Sequence, residues 1–252
     1  MRIATYNCNS VRLRTPIILE WLAEYEPDVL ALQEIKCEND KFPTFEFEEM
    51  GWQVAVNGQK TWNGVALVSR HSIRDVRTGM GDPAFPEDAR IITAEVEGLR
   101  IANTYVPNGT KVGTDKFDYK LRWLERIKLL LVQQSIDVWL GDINIALKPD
   151  DVYDSKRVFG GVGHHPEEFA RLNAILDLGY EDLFRKFTQG PGHYTYWDYF
   201  IKTAFERNNG WRIDHIYGRG AAASSCTACQ IDLEPRRQER PSDHTVVWAD
   251  VG

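Results

Sequence analysis

The stretch Val138–Asn144 reads VWLGDIN, an apolar run that stops on an acid and an amide. A short apolar run bounded by polar residues is the mark of a buried strand. The same form recurs along the chain. Arg2–Asn7 (RIATYN) ends on an amide, Val29–Glu34 (VLALQE) ends on an acid, and Arg100–Val106 (RIANTYV) carries Tyr105 near its end. Trp52–Val56, Gly64–Ser69, Ile91–Val96, Arg212–Tyr217 and Thr245–Val251 are further strand-like pieces. Helical patterning falls between them. Thr15 and Pro16 suit an N-cap and a first helical position, followed by Ile18, Trp21, Leu22 and Tyr25 on one face as far as Pro27. Lys116–Gln133 aligns Leu121, Leu124, Ile127 and Leu131, and Pro166–Leu178 also reads as a helix. With no repeat and no linker, the expectation is an α/β fold over residues 1–252 as a single domain, two β-sheets packed face to face with helices outside.

Composition narrows the class. The chain has 252 residues, 43% apolar and 27% charged, a globular balance and not a disordered one. No apolar run approaches the ~18 residues that span a bilayer, and the N-terminus lacks the apolar core of a signal peptide. Cys8, Cys37, Cys226 and Cys229 are too few for a disulfide framework, which points to a reducing, cytoplasmic setting. Cys226 and Cys229 form a lone C-x-x-C without the second pair that a zinc site wants. The net charge of -7 speaks mildly against a nucleic-acid partner. It does not decide the matter, because a metal enzyme must gather carboxylates while a local basic rim engages phosphate. Arg12, Arg14, Lys36, Lys60, Arg90, Lys111, Lys116, Lys156, Arg157 and Lys186 are candidates for such a rim.

The polar residues lie at strand ends. Asn7, Glu34, Tyr105, Asp142 and Asn144 terminate strands, Asp214 sits within Arg212–Tyr217, and Asp243-His244 precede the last strand. Singly, each suits a turn or cap. Together they are a set of oxygen donors with one histidine and no serine or cysteine nucleophile beside a base. Such donors suit magnesium or manganese, with a carboxylate to activate water. His71, His164, His165, His193 and His215 show no zinc-like spacing; His164 and His165 are open to either substrate contact or solvent.

TYNCNSVR (5–12), LQEIK (32–36), NGVALVSR (63–70), NTYVPNG (103–109), GDINIA (141–146), YTYWDY (194–199), ERNNGWRIDHI (206–216) and PSDH (241–244) occur in one order across nearly the whole chain. In these segments the chain resembles the exonuclease III family of apurinic/apyrimidinic (AP) endonucleases. The resemblance implies a four-layer α/β sandwich of the deoxyribonuclease-like kind. It also implies Mg2+-dependent cleavage of DNA 5′ to abasic sites, accompanied by 3′-phosphodiesterase and 3′-to-5′ exonuclease activity, with Mn2+ able to substitute. By the same resemblance Glu34 matches the principal metal ligand, Asp243 a supporting carboxylate, and Asn7 lies beside them. Asp142 matches the acid that activates water, Asn144 its orienting neighbour, and Tyr105 a phenol near the leaving oxygen. His244 matches a donor to the phosphate with Asp214 behind it, and Trp197 a wall of the sugar pocket. Arg90 matches a substrate-binding residue. The expected partner is double-stranded DNA with abasic sites or blocked 3′ ends, bound by a monomer.

Three departures stand out. Ile143 replaces the phenylalanine of the usual GDFN, Tyr196 stands in the T-W-W or T-F-W motif, and Ala89 precedes Arg90 where glycine is common. Strand alternation directs Ile143 away from the site. Two alternatives remain: a phosphoesterase of the same superfamily acting on RNA, sphingomyelin or inositol phosphates, and a nucleic-acid-binding regulator without catalysis. The GWRIDHI segment with Trp197 and the short chain argue against the first, and the intact polar set argues against the second.

Overall fold

A computed structural model describes residues 1–85 and 89–252. The strands are β1 (Arg2–Asn7), β2 (Val29–Gln33), β3 (Gln53–Asn57), β4 (Val65–Ser69), β5 (Arg74–Thr78), β6 (Ile91–Val96), β7 (Leu99–Tyr105), β8 (Val138–Asp142), β9 (Tyr180–Asp182), β10 (Asp214–Arg219), β11 (Ala228–Asp232) and β12 (Val246–Asp250). They form two six-stranded sheets, ordered β11-β12-β1-β2-β4-β3 and β5-β6-β7-β8-β10-β9. Each sheet has one parallel pair at its centre, β1 with β2 and β7 with β8, and antiparallel neighbours around it. Parallel strands need a crossover. The helices Val11–Tyr25 and Asp115–Gln133 supply the two crossovers.

Burial follows the strand period of two. On the inner faces, Ile3, Val29, Ala31, Val65, Leu67, Ile101, Val138, Leu140, Ile216, Val247 and Ala249 fill the space between the sheets. The alternate positions Ala4, Tyr6, Leu30 and Leu32 face the helix Val11–Tyr25 through Ile18, Trp21 and Leu22. On the far side, Ala102, Trp139 and Tyr217 meet Trp123, Leu124 and Ile127 of the second crossover helix and Leu172 and Ile175 of the helix Pro166–Leu176. Ile143 joins that outer cluster. The order is therefore helix, sheet, sheet, helix, the sandwich expected from sequence.

Local departures have physical causes. The first helix begins at Val11 and holds Pro16 inside it, rather than starting at Thr15. Its opening N–H groups are taken from outside the helix, Ser10 by the Glu34 carbonyl (2.7 Å) and Val11 by that of Ile35 (3.2 Å). A cap built by another strand leaves no local signature. Thr15 instead turns its hydroxyl back onto the Val11 carbonyl at 2.9 Å. Sequence patterning also misses β5, β9 and β11. They are edge strands; β5 is exposed at every position and carries charges, a common way of blunting a sheet edge.

Gly141 marks a close approach at the end of β8. Its φ is +134°, and a Cβ there would lie 2.0 Å from the Thr104 carbonyl oxygen on β7. Gly141→Ala is expected to lower stability by about 2 kcal/mol, the scale of forced overpacking. The shift in denaturant midpoint measures it, and an unchanged midpoint contradicts the close approach.

Candidate active site

The inner faces change character along their length. On β1 the inward positions run Ile3, Thr5, Asn7; on β2, Val29, Ala31, Gln33; on β7, Ile101, Asn103, Tyr105; on β8, Val138, Leu140, Asp142. The apolar seam thus gives way to a polar layer and then to the candidate site. The middle layer is closed by hydrogen bonds between the sheets. Gln33 Nε2 donates to Thr5 Oγ1 (2.9 Å) and Asn103 Oδ1 (2.8 Å), and Asn103 Nδ2 donates to the Leu32 and Ala66 carbonyls. Buried amides without such partners would be costly.

Beyond that layer, register brings the strand ends to one edge. Tyr105 of β7 and Asp214 of β10 both pair with Asp142 of β8. The carboxyl ends of the parallel pairs open there, as binding sites in parallel sheets do. The resulting cleft, about 310 Å³, is lined by Glu34, Tyr105, Asn108, Asp142, Asn144, Val162, Gly163, Tyr196, Trp211, Ile213, Asp243 and His244. Glu34 and Asn144 both adopt left-handed backbone, φ 48° and 55°, the first directly after β2 and the second two residues after β8. That turn lifts each side chain out of the strand line, a strain typical of functional sites.

Asp142 is buried. Its Oδ2 accepts from Asn7 Nδ2 (2.8 Å) and its Oδ1 from the Asn144 N–H (3.0 Å). Asn7 Nδ2 also reaches Glu34 Oε1 at 2.9 Å, while its Oδ1 accepts from the Asn9 N–H. Asn7 therefore offers the acids a donor through its amide nitrogen. Lys36 Nζ lies 2.8 Å from Glu34 Oε2. His244 donates from Nδ1 to Asp214 Oδ2 at 2.8 Å, and its Nε2 lies 3.8 Å from Asp142 Oδ2. Asp243 lines the cleft and is held by Asn9 Nδ2 at 2.9 Å.

Proton affinities separate these groups. Burial pushes the Asp142 carboxyl up; His244 works against this and Asp214 adds to it, leaving its pKa at about 8. Burial also raises Glu34, but Lys36 and the Asn7 hydrogen bond outweigh it, so Glu34 stays below the usual range and ionised. Burial disfavours charge on His244, yet Asp214, then Asp142 and Asp243, raise its pKa to about 10. Burial, with Glu34 and Asp142, keeps the Tyr105 phenol neutral far into the alkaline range. Two acids pushed in opposite directions beside a cationic imidazole are the pattern of an acid–base site.

The cluster fits a divalent cation. Glu34, Asp142 and His244 each bring one ligand atom within 4.8 Å of the others. Burial first, and then the neighbouring acids, raise the Asp142 pKa, and a cation beside it would favour the charged form. Glu34 and Asp142 bring carboxylate oxygens to this point, and Asp243 lines the same cleft.

Trp197 is a correction. In the extended strip Tyr194–Trp197, Tyr196 bridges to both Trp211 and His244 and faces the cleft, so its neighbour Trp197 faces away. Trp197 is 1% exposed, donates to Asn208 Oδ1 and meets Phe205 edge-on at 5.0 Å. It lines a different hollow, with Phe205 and Leu233. Arg90 lies beside the cleft, its guanidinium covering the Tyr105 ring at 4.7 Å. The sequence does not single out Trp211 or Asn108, and it marks Lys36 only as a candidate for the basic rim and Tyr196 only as a departure within its motif. All four lie inside or beside quoted motifs, yet only tertiary pairing shows which way they point. Trp211 and Ile213 face the cleft because Arg212 between them is turned inward, to Asp151 Oδ1 (2.8 Å) and Asp182 Oδ2 (2.7 Å). His164 is also structural: its ring lies between the Ala146 carbonyl and Ser155 Oγ, and His165 caps the helix Pro166–Leu176.

Two outcomes follow for the buried rings. His215, between the Ile145 carbonyl and Arg212, is held down at about 4 by burial and the arginine. A folded pKa below the unfolded value of ~6.5 means stability present above pH 6.5 and lost as pH falls toward 4, about 3 kcal/mol in all. Denaturant midpoints from pH 7 to 4.5 should fall less steeply in His215→Gln; equal slopes contradict the assignment. Trp197→Ala should cost about 3–5 kcal/mol as a core truncation, whereas Tyr196→Ala should leave the melting temperature much closer to the parent. The reverse order contradicts the placement of the two rings.

Residues 4–244 match the endonuclease/exonuclease/phosphatase family. The chain is 32% identical over 267 residues to exodeoxyribonuclease III of Haemophilus influenzae, covering 99% of each. It superposes on an AP endonuclease from Archaeoglobus fulgidus with a TM-score of 0.95 at 39% identity, covering 100% of this chain and 99% of that one. The 3′ phosphatase NExo from Neisseria, solved with a product DNA hairpin, gives the same TM-score of 0.95, identity of 39% and coverage of 100% and 99%. No helix among the described residues is long and apolar enough to cross a membrane. By sequence along almost its whole length, and by the two-sheet frame that carries the cleft, the chain belongs to the endonuclease/exonuclease/phosphatase family.

Proposed function

We propose that residues 1–252 form one catalytic unit that hydrolyses the DNA phosphodiester 5′ to abasic sites with Mg2+, and with Mn2+ in its place. 3′-Phosphodiesterase and 3′-to-5′ exonuclease activities are expected of the same cleft. The observation that carries this assignment is the buried pairing of Asp142 with a cationic His244 beside ionised Glu34. Such a site supplies a base, a donor to phosphate and a metal carboxylate within one cleft.

Asp142 takes the proton of the attacking water. Asn144, fixed by its backbone bond to Asp142 and its side-chain bond to the Val106 carbonyl, orients that water and the phosphate. Asp214 occupies His244 Nδ1, which leaves Nε2–H free to donate to a non-bridging oxygen. Neutral Tyr105 donates toward the leaving oxygen. Glu34, with Asp243 in support, would hold Mg2+, which would supply neutralisation of charge on the phosphoryl group. Turning a nucleotide out of the duplex costs a few kcal/mol, and less where the base is missing; Tyr196 and Trp211 form the walls against which the bare sugar fits.

The solved relative called a 3′ phosphatase is as similar as the one called an AP endonuclease. This supports a second reading in which 3′ ends are the main substrate of the same cleft. A time course on matched duplexes carrying an abasic analogue, a blocked or recessed 3′ end, or only normal bases distinguishes them. Metal-dependent cutting at the analogue is the expected result, and cutting confined to 3′ ends favours the second reading. Full activity in chelator contradicts both. Asp142→Asn should lower turnover by ~10²-fold or more with DNA binding retained; near-normal turnover means another group activates the water.

A further inference from the structure

The apolar stripe of the helix Asp115–Gln133 is interrupted by Lys120, which is fully buried among Phe117, Leu121 and Leu124. Its partner is Glu168 of the helix Pro166–Leu176, also fully buried. A buried charge pair is weak evidence of stability, since desolvation offsets much of the attraction, so the question is what else it holds. An ammonium has three donors, and all three are engaged: Glu168 Oε1, the Asn108 carbonyl (3.1 Å) and the Asn144 carbonyl (2.9 Å). Glu168 in turn accepts from the N–H groups of Gly163 (3.1 Å) and His165 (3.1 Å).

The pair therefore grips main chain from three separate segments that border the cleft. Asn108 and Asn144 touch each other there, Asn108 Nδ2 donating to Asn144 Oδ1 at 3.2 Å. Gly163 has φ +83°, and a Cβ on it would come within 3.2 Å of the Trp211 ring. Asn144 is in left-handed backbone, a conformation that persists only when its surroundings over-determine it. The Lys120 bond to its carbonyl is one of the contacts that does so.

We propose that Lys120 and Glu168 are positioning residues for the cleft, setting the side-chain amides of Asn144 and Asn108 and the wall at Gly163 without touching substrate. The effect on turnover rests on the nuclease assignment above, and the geometry does not. Lys120→Met alone leaves a carboxylate buried without its partner and is expected to fold poorly. The informative variants are the double Lys120→Met/Glu168→Gln, which removes both charges, and Lys120→Arg, which keeps a cationic donor.

Each is measured two ways, by steady-state cleavage of a duplex carrying an abasic analogue with Mg2+, and by NMR of the Asn144 and Asn108 side-chain amides. In the double variant, measured well below its melting temperature, kcat should fall ~10²-fold, as a misplaced catalytic group implies. KM should stay within ~3-fold, as for loss of an interaction made in the transition state. Both amide signals should move, and Lys120→Arg should return both readouts toward the parent. A folded double variant with unchanged kcat and unmoved amide signals overturns the proposal. Failure of the parent chain to cut the abasic duplex counts against the nuclease assignment instead, and the amide signals alone then decide for or against the pair.

Discussion

Four carboxylates, Glu34, Asp142, Asp214 and Asp243, are gathered at the mouth of a seam between two sheets, with one imidazole and one ammonium beside them. Burial of that much like charge is unfavourable unless each oxygen is paired. Most features of the site can be traced to this constraint. Asn7 bridges two of the acids through one amide nitrogen. His244 is kept charged by the acid behind it, and Asp142 keeps an unusually high affinity for a proton. The same imbalance that makes the cluster awkward for a fold makes it receptive to a divalent cation and to the phosphate that the cation accompanies.

The fold delivers these groups by repetition of one device. Each sheet is centred on a parallel pair joined by a helix, and the carboxyl ends of both pairs point to the same edge. Along each inner face the residues pass from aliphatic, through hydrogen-bonded amides such as Gln33 and Asn103, to the reactive groups. The middle layer grades the polarity change through hydrogen bonds from the Gln33 and Asn103 amide nitrogens. It also ties the sheets together directly below the cleft, so that catalytic distances do not depend on aliphatic packing alone.

Much of this was legible in the sequence. VLALQE and VWLGDIN announce buried strands that end in acids, and the order of motifs points to the family and to Glu34, Asp142, Asn144, Asp214 and His244, which the fold gathers at one edge. What stayed hidden depends on direction or on distant partners. Tyr196 and Trp197 are adjacent aromatics, and nothing local says which faces the cleft; the bridges from Tyr196 to Trp211 and His244 decide it. Asn7 reads as an oxygen donor, yet it is its amide nitrogen that meets the two acids. The start of the first helix is set by carbonyls at Glu34 and Ile35, which lie beyond the helix and outrank the local signal of Thr15 and Pro16. Lys120 is visible as a charge on an apolar stripe, but its meaning depends on Glu168 and on two carbonyls from other loops.

The central claim is that the seam focuses its charge and its donors on a phosphate held beside Asp142 and His244. The most direct measurement is a structure of the chain with a duplex carrying an abasic analogue, with Ca2+ in place of Mg2+ to slow turnover. The distance from His244 Nε2 to the nearest non-bridging oxygen of the scissile phosphate should lie at about 2.7–3.2 Å, with the bare sugar against Tyr196 and Trp211. A phosphate bound elsewhere, or a sugar seated in the hollow beside Trp197, contradicts the account.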